Sequence, residues 1–189
     1  MLRKLVAAAL ALTVCGTAAG VAYASNDHGG LAALRQATAK YHKLSVATDA
    51  QYGKFVDVNG IACIDMPGMG AMGIHYVNGG LVGDGEINAL TPEALVYAPG
   101  EHGSLHLAAV EYVVLKAAWD AKHGSPPTLF GQQFNFTAAG NRYGLPDFYS
   151  LHVWVWKHNP AGTFAMWNPN VHCNADDGHE MSDDQMANM

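Results

Sequence analysis

The sequence predicts a mainly β, α+β domain: a small antiparallel barrel or sandwich with one N-terminal amphipathic helix packed on it. Three observations lead there. Residues 31–55 carry apolar side chains at three- and four-residue steps, the period of a helix with one buried face. The remaining apolar content falls in short runs separated by Gly, Pro and Asn, the pattern of strands joined by turns. Residues 151–156, Leu-His-Val-Trp-Val-Trp, alternate so that Leu151, Val153 and Val155 share one face of a strand and His152, Trp154 and Trp156 the other.

Residues 1–24 have the build of a secretory signal. Arg3 and Lys4 precede the apolar residues 5–14, and Ala22-Tyr23-Ala24 supplies a small-residue cleavage site, so the mature chain is expected to begin at Ser25. The apolar run is about half of the roughly 20 residues that span a bilayer, and no other stretch is longer, so no transmembrane anchor is expected. Residues 12–15, Leu-Thr-Val-Cys, approximate a lipobox at Cys15, although Val14 is a poor residue before a lipidated cysteine. The expected location is extracytoplasmic, either periplasmic or fully secreted.

Cleavage removes Arg3 and Lys4 and no acid, which takes the formal net charge from −6 to −8. That balance, with scattered Lys and Arg, excludes nucleic acid as a natural partner. A polar lead, 25–30, precedes one globular domain, 31–173, long enough to bury a core. The acidic residues 174–189 read as a disordered tail, in which His179, Met181, Met186 and Met189 hold metal at most loosely.

Two cysteines remain after cleavage, Cys63 and Cys173. In an exported protein such a pair reads first as a disulfide, which would close a loop of about 110 residues and contribute roughly 4–5 kcal/mol on the chain-entropy model. Thiolate ligation of a metal is the other use, without the close Cys-x-x-Cys spacing that favours it.

In chain order, Leu31, Leu34, Thr38, Tyr41, Leu44 and Thr48 form the buried face of the helix, with His42 one position beyond it and toward solvent. Residues 55–60 suit a short strand and turn. Residues 66–73 are dense in Gly and Met; Met66, Met69 and Met72 suit either a soft copper(I) site or adaptable core filling. Residues 74–78 make a strand with His75 facing away from Ile74 and Tyr76, followed by an Asn78-Gly79-Gly80 turn and a loop over 81–90. Residues 94–99 and 105–115 are strands. His106 and Glu111 in the second differ by an odd number, so they face opposite sides unless a bulge intervenes. Residues 116–123 form a short helix or excursion, 128–136 a strand, 137–147 a loop, 151–156 the tryptophan strand and 163–167 a short return. His158 and His172 lie by turns, where solvent or a backbone bond satisfies them.

The chemistry rests on polar residues inside apolar strands. Glutamate is almost never buried unless paired or bound, and Glu111 is surrounded by Ala, Val and Tyr. His75 and His152 raise the same question. Two histidines and a carboxylate from three strands would make a three-ligand face for a divalent metal: iron(II), zinc holding a catalytic water, or copper. Tyr76, Tyr97, His106 and Tyr112 are candidates to orient those ligands, and Trp154 and Trp156 to line the pocket. The alternative is two core histidines bonded to backbone or tyrosine and one paired glutamate. No Gly-x-Ser-x-Gly elbow and no phosphate loop opening a helix is present.

Several blocks recur together: Ala-Thr-Ala-Lys-Tyr-His at 37–42, Gly-Met-Gly-Ala-Met-Gly-Ile-His-Tyr-Val-Asn at 68–78, Pro-Glu-Ala-Leu-Val-Tyr at 92–97, Val-Glu-Tyr at 110–112, Leu-Phe-Gly-Gln at 129–132, and the segment from 151 through Asn159-Pro160-Ala161-Gly162 to Trp167-Asn168-Pro169. As a set they resemble a group of small, uncharacterised exported bacterial proteins. The resemblance implies one exported domain and brings no activity with it. Three functions stay open: binding of one divalent metal inside the β domain for chemistry on a small molecule; a metal-free module holding an apolar or aromatic ligand between Trp154, Trp156, Tyr76 and Phe134; and a structural or interaction protein of the cell envelope.

Overall fold

The structure is a computed structural model that describes residues 27–173 and 178–180. The expected signal sequence and Cys15 lie outside the described residues, as does most of the acidic tail.

The N-terminal segment covers a sheet, in pieces rather than as one rod. Helix α1 (Asp27–Thr38) begins inside the expected polar lead, a 3-10 turn follows over Ala39–His42, and α2 (Leu44–Asp49) completes the segment. The break falls at Lys43, whose backbone is extended. Two side chains act on the turns before it. The Thr38 hydroxyl donates to the Leu34 carbonyl at 2.8 Å, a bond that bends helices, and the Tyr41 carbonyl accepts from the Tyr97 hydroxyl at 2.7 Å. Leu34, Thr38 and Tyr41 are buried, as their spacing predicts. Past the break the phase shifts, so that Ala47 is buried and Thr48 exposed.

The strands are β1 (Gly53–Lys54), β2 (Cys63–Met66), β3 (Gly70–Val77), β4 (Ala94–Pro99), β5 (Leu105–Leu115), β6 (Thr128–Leu129), β7 (Gln132–Gln133), β8 (Asn135–Thr137), β9 (Phe148–Val153) and β10 (Gly178–Glu180). Seven lie side by side in the order β10, β2, β3, β4, β5, β9, β8; β1 adds to β3, and β6 pairs with β7 in a separate ribbon. Pairing is antiparallel except between β10 and β2. Among the described residues the two ends of the sheet do not meet, so the barrel alternative is corrected: the domain is an open, sandwich-like α+β arrangement.

Other elements depart from expectation for local reasons. Where a loop was predicted after β3, α3 (Gly79–Asp84) forms, because the Asn78 side chain accepts from the Gly80 and Leu81 amides and caps it. Lys116–Asp120 is a short helix, α4. The expected strand over 128–136 folds back on itself at Phe130 and Gly131, both of positive φ, as a two-residue hairpin turn requires. Residues 178–180, expected in the disordered tail, add a strand beside β2. The tryptophan strand stops at Val153: the Trp154 amide turns to the Thr163 carbonyl, and the Trp156 and Lys157 amides both donate to the Ala108 carbonyl. That carbonyl is free because β5 bulges there, Val96 pairing with Ala109 and Tyr97 with Leu107.

The sheet has two unlike faces. Tyr76, Leu95, Tyr97, Val110, Tyr112 and Leu151 point to the helices and form the main core with Leu34, Tyr41, Ala47 and Tyr52. The other face is covered by α3 and by loop residues near 55–64 and 143–146. Cys63, opening β2, is bonded to Cys173, with sulfurs 2.06 Å apart. The Gly-rich entry to β3 has a packing role: a Cβ on Gly70 would lie 2.1 Å from the Asn168 carbonyl oxygen, so glycine there lets residue 168 bridge to Ala71.

Candidate metal centre

Three strands supply the site. Glu111 on β5 stands directly opposite His152 on β9, so the two share a face. His75 on β3 is opposite Val96 on β4, which is opposite Ala109 on β5, two residues from Glu111 and therefore on the same face. Across β4 the imidazole and the carboxylate reach toward each other over Ala94 and Val96, both fully buried. Small side chains on that middle strand leave the room.

The side chains converge. His75 Nε2 lies 3.2 Å from Glu111 Oε2, His152 Nε2 lies 3.5 Å from Glu111 Oε1, and the two Nε2 atoms are 3.1 Å apart. Bonds of about 2.0–2.2 Å from a metal to histidine nitrogen and carboxylate oxygen put neighbouring ligand atoms about 2.9–3.5 Å apart, from octahedral to tetrahedral shells. The three separations fall in that range. Two imidazole nitrogens facing each other at 3.1 Å share one proton at most, so at least one lone pair points into the triangle.

Electrostatics favour the ligating protonation states. Burial pushes Glu111 up, but His152, His75 and the Ser150 hydroxyl outweigh it and hold the carboxyl down at about 2. Burial drives His152 down to about 4 despite the Glu111 charge, with His75 adding to the effect. At neutral pH the cluster therefore holds a carboxylate and an uncharged His152 ring. Nδ1 of that ring is buried with no hydrogen-bond partner among the described residues, and its polar contacts there run through Nε2 into the cluster.

A cavity of about 520 Å³ opens over the cluster. His75, Glu111 and Ser150 lie on its floor, Val77, Val113 and Phe148 rise from the sheet, and Val82 of α3 and Tyr143 face them. The Tyr143 ring stands between Phe55 and Phe148, at 6.4 and 5.9 Å between centroids. Its hydroxyl is made a weaker acid first by burial and then by the Glu111 charge. Its neighbour Arg142 is anchored to Asp57 through Nε at 2.9 Å, which ties the loop to the chain after β1.

The other residues named from sequence lie elsewhere. Tyr76, Tyr97 and Tyr112 are on the helix face, as even and odd numbering on paired strands requires; Tyr97 donates to the Tyr41 carbonyl and Tyr112 to the Ala89 carbonyl, both at 2.7 Å. They fasten helices and loop rather than ligands. His106 is exposed at the start of β5, 3.3 Å from the Ser104 hydroxyl. The bulge turns it to the same face as Glu111, but at the far end of the strand. Trp154 lies beside His152, ring centroids 5.9 Å apart, with its indole donating to the Ala165 carbonyl. Trp156, released when β9 ends, packs on the helix side between Arg35 and His42 and donates to Thr38. Tyr76, Phe134 and Trp154 are buried in the main core with Trp156 packed against it, and none of the four lines the cavity over the cluster. Of the three methionines in residues 66–73, Met72 is buried with Ile64 and Trp167, Met66 packs against that cluster, and Met69 is exposed.

Ser150 and Tyr143 escaped the sequence reading. Ser150 had a signal, two residues before His152 on one strand. Tyr143 sits in a Gly- and Asn-containing loop and had none.

No described helix is long and apolar enough to cross a membrane, and a bonded cysteine pair suits an extracytoplasmic chain. Comparison with protein-family models, curated proteins and solved structures found no match.

Proposed function

We propose that the protein binds one divalent transition metal through His75, Glu111 and His152 and acts through it on a small molecule in the adjoining cavity. The observation that carries this is the triangle itself: two imidazole nitrogens and a carboxylate, mutually spaced as ligands of one ion, on a floor that opens to a cavity. Structural histidines in a core face backbone or hydroxyl partners; these face each other and a carboxylate. Three protein ligands leave positions for water or substrate, the arrangement suited to iron(II) or zinc. Such an ion would supply Lewis acidity, or oxygen chemistry if it is iron. The chain's own residues hold the carboxylate ionised, keep His152 unprotonated and exclude bulk water with apolar walls. Export before folding fits the amino-terminal sequence and the disulfide.

The test is metal content by plasma mass spectrometry on protein exported from the full-length gene, beside His75→Ala, Glu111→Gln and His152→Ala. About one ion per chain, lost in all three variants, is expected. Protein that stays metal-free after exposure to iron(II), zinc, copper and manganese would overturn the proposal.

A further inference from the structure

We infer that the cavity receives a neutral, largely hydrocarbon molecule carrying one oxygen function, an alcohol, phenol or carbonyl compound, which enters past Gly79 and Gly83 and turns its oxygen to the floor formed by His75, Glu111 and Ser150. This rests on the proposed metal centre only for what the oxygen meets.

The walls set the class. Val77, Val82, Val113, Leu115, Leu145 and Phe148 present no polar side-chain atom. The charged side chains of the lining are Lys54 near the β1 edge and Glu111 on the floor, and Glu111 already shares its charge between two imidazoles and Ser150. An anion would leave water to meet that carboxylate, and a cation would find it engaged; either is costly in an apolar cavity. A neutral molecule gains from burial along its whole length. The volume, about 520 Å³, lies within the usual span for small-molecule sites.

His75, Glu111 and Ser150 form the one cluster of polar side chains in the lining, with Thr137 and Lys54 placed singly elsewhere, and that cluster orients the guest. Ser150, His75 and Glu111 are on the floor, and Tyr143 stands in the wall within reach of the Glu111 field. Its phenol, protonated at neutral pH like that of an ordinary tyrosine, can donate to a guest oxygen.

Glycines set the entrance. Gly79 and Gly83 are one turn apart on α3, both line the cavity, and a Cβ on either would meet nothing within 4 Å. Neither has positive φ, so the backbone there accepts other residues. The absent side chains leave the mouth open.

The test is calorimetry on the full exported protein, as isolated and after chelator treatment, with 4-ethylphenol, ethylbenzene and 4-ethylbenzenesulfonate as probes. Expected are binding of 4-ethylphenol, binding of ethylbenzene independent of the metal, and sulfonate binding at least tenfold weaker than the phenol. Gly83→Trp and Gly79→Trp should each weaken the neutral probes at least tenfold with unchanged circular dichroism and metal content, and Gly83→Ala should not. Sulfonate binding equal to the phenol, indifference to both tryptophan variants, or no binding of either neutral probe would overturn the inference. Protein that takes up none of the four metals yet binds both neutral probes, and loses them in the tryptophan variants, would sink the metal centre and leave the cavity assignment standing.

Discussion

Glu93 offers a test of the electrostatics that does not pass through the proposed metal centre. Its side chain is 2 % exposed, and its Oε2 accepts from the Val113 amide at 3.0 Å, just where β5 runs on beyond the first residue of β4. The carboxyl thus replaces the strand that is missing there. Burial, only partly offset by that bond, pushes its pKa up to about 8 from an ordinary value of 4.5. Between those limits the folded chain keeps a proton that the unfolded chain has released, so stability falls as pH rises through the window. The slope is about 1.36 kcal/mol per pH unit, which over the window amounts to roughly 5 kcal/mol. Glu93→Gln keeps an acceptor for Val113 and removes the titration. Urea unfolding of chelator-treated protein at pH 5, 7 and 8.5 should therefore show the variant close to wild type at pH 5 and several kcal/mol above it at pH 8.5. Taking the difference between the two proteins cancels His152, whose lowered pKa acts in the opposite sense: its contribution is complete above pH 6.5 and is lost as pH falls toward about 4. Parallel stability profiles for the two proteins would refute the account of Glu93 as a buried, protonated acid.

Other perturbations give further checks. Arg142→Met should destabilise by about 3–5 kcal/mol, because it leaves the Asp57 carboxylate, 0 % exposed, buried without its ion-pair partner; the double variant with Asp57→Leu should recover much of the loss in denaturant titrations. Replacing Cys63 and Cys173 together by serine should lower stability by roughly 4–5 kcal/mol, seen as a lower melting temperature that reductant no longer changes. Metal at a hundredfold its dissociation constant should add about 2.7 kcal/mol to the folded state. That gain should appear as a raised melting temperature in wild type, vanish with chelator, and be absent in Glu111→Gln.

Periodicity carried the sequence a definite distance. It placed His75, Glu111 and His152 inside strands and assigned each a face, because alternation is a property of one strand alone. Which strands lie side by side is a property of several, and here β3 and β5 meet across β4 while β5 takes β9, setting Glu111 opposite His152, 41 residues further on. Nothing in one strand's alternation encodes that. The same limit explains the misplaced groups. Tyr97 and Tyr112 were grouped with the ligands although their own numbering puts them on the helix face once the register is known. Trp156 was carried past a strand end caused by the bulge at Ala108, one extra residue in a run that looks regular. Just before the break at Lys43, the Tyr41 carbonyl accepts from the hydroxyl of Tyr97, 56 residues away in sequence. The cavity was illegible because much of its roof is loop, where composition says only that the chain turns.

The spacing of the three ligands along the chain has a consequence for synthesis. When residue 111 leaves the ribosome, the strand that will bear the third ligand does not yet exist, and one edge of β5 has no partner until residues 148–153 arrive. Pairings of such long sequence separation form slowly, on the millisecond-to-second scale typical of sheets with high contact order. A half-made chain can offer one imidazole and one carboxylate, but not the triangle. If the proposed centre takes an ion, all three of its residues are in place only after β9 has docked on β5, and for a chain threaded unfolded across a membrane that moment would fall on the far side. The ion such a centre took up would then be decided by what the destination contains rather than by the metals present at the point of manufacture.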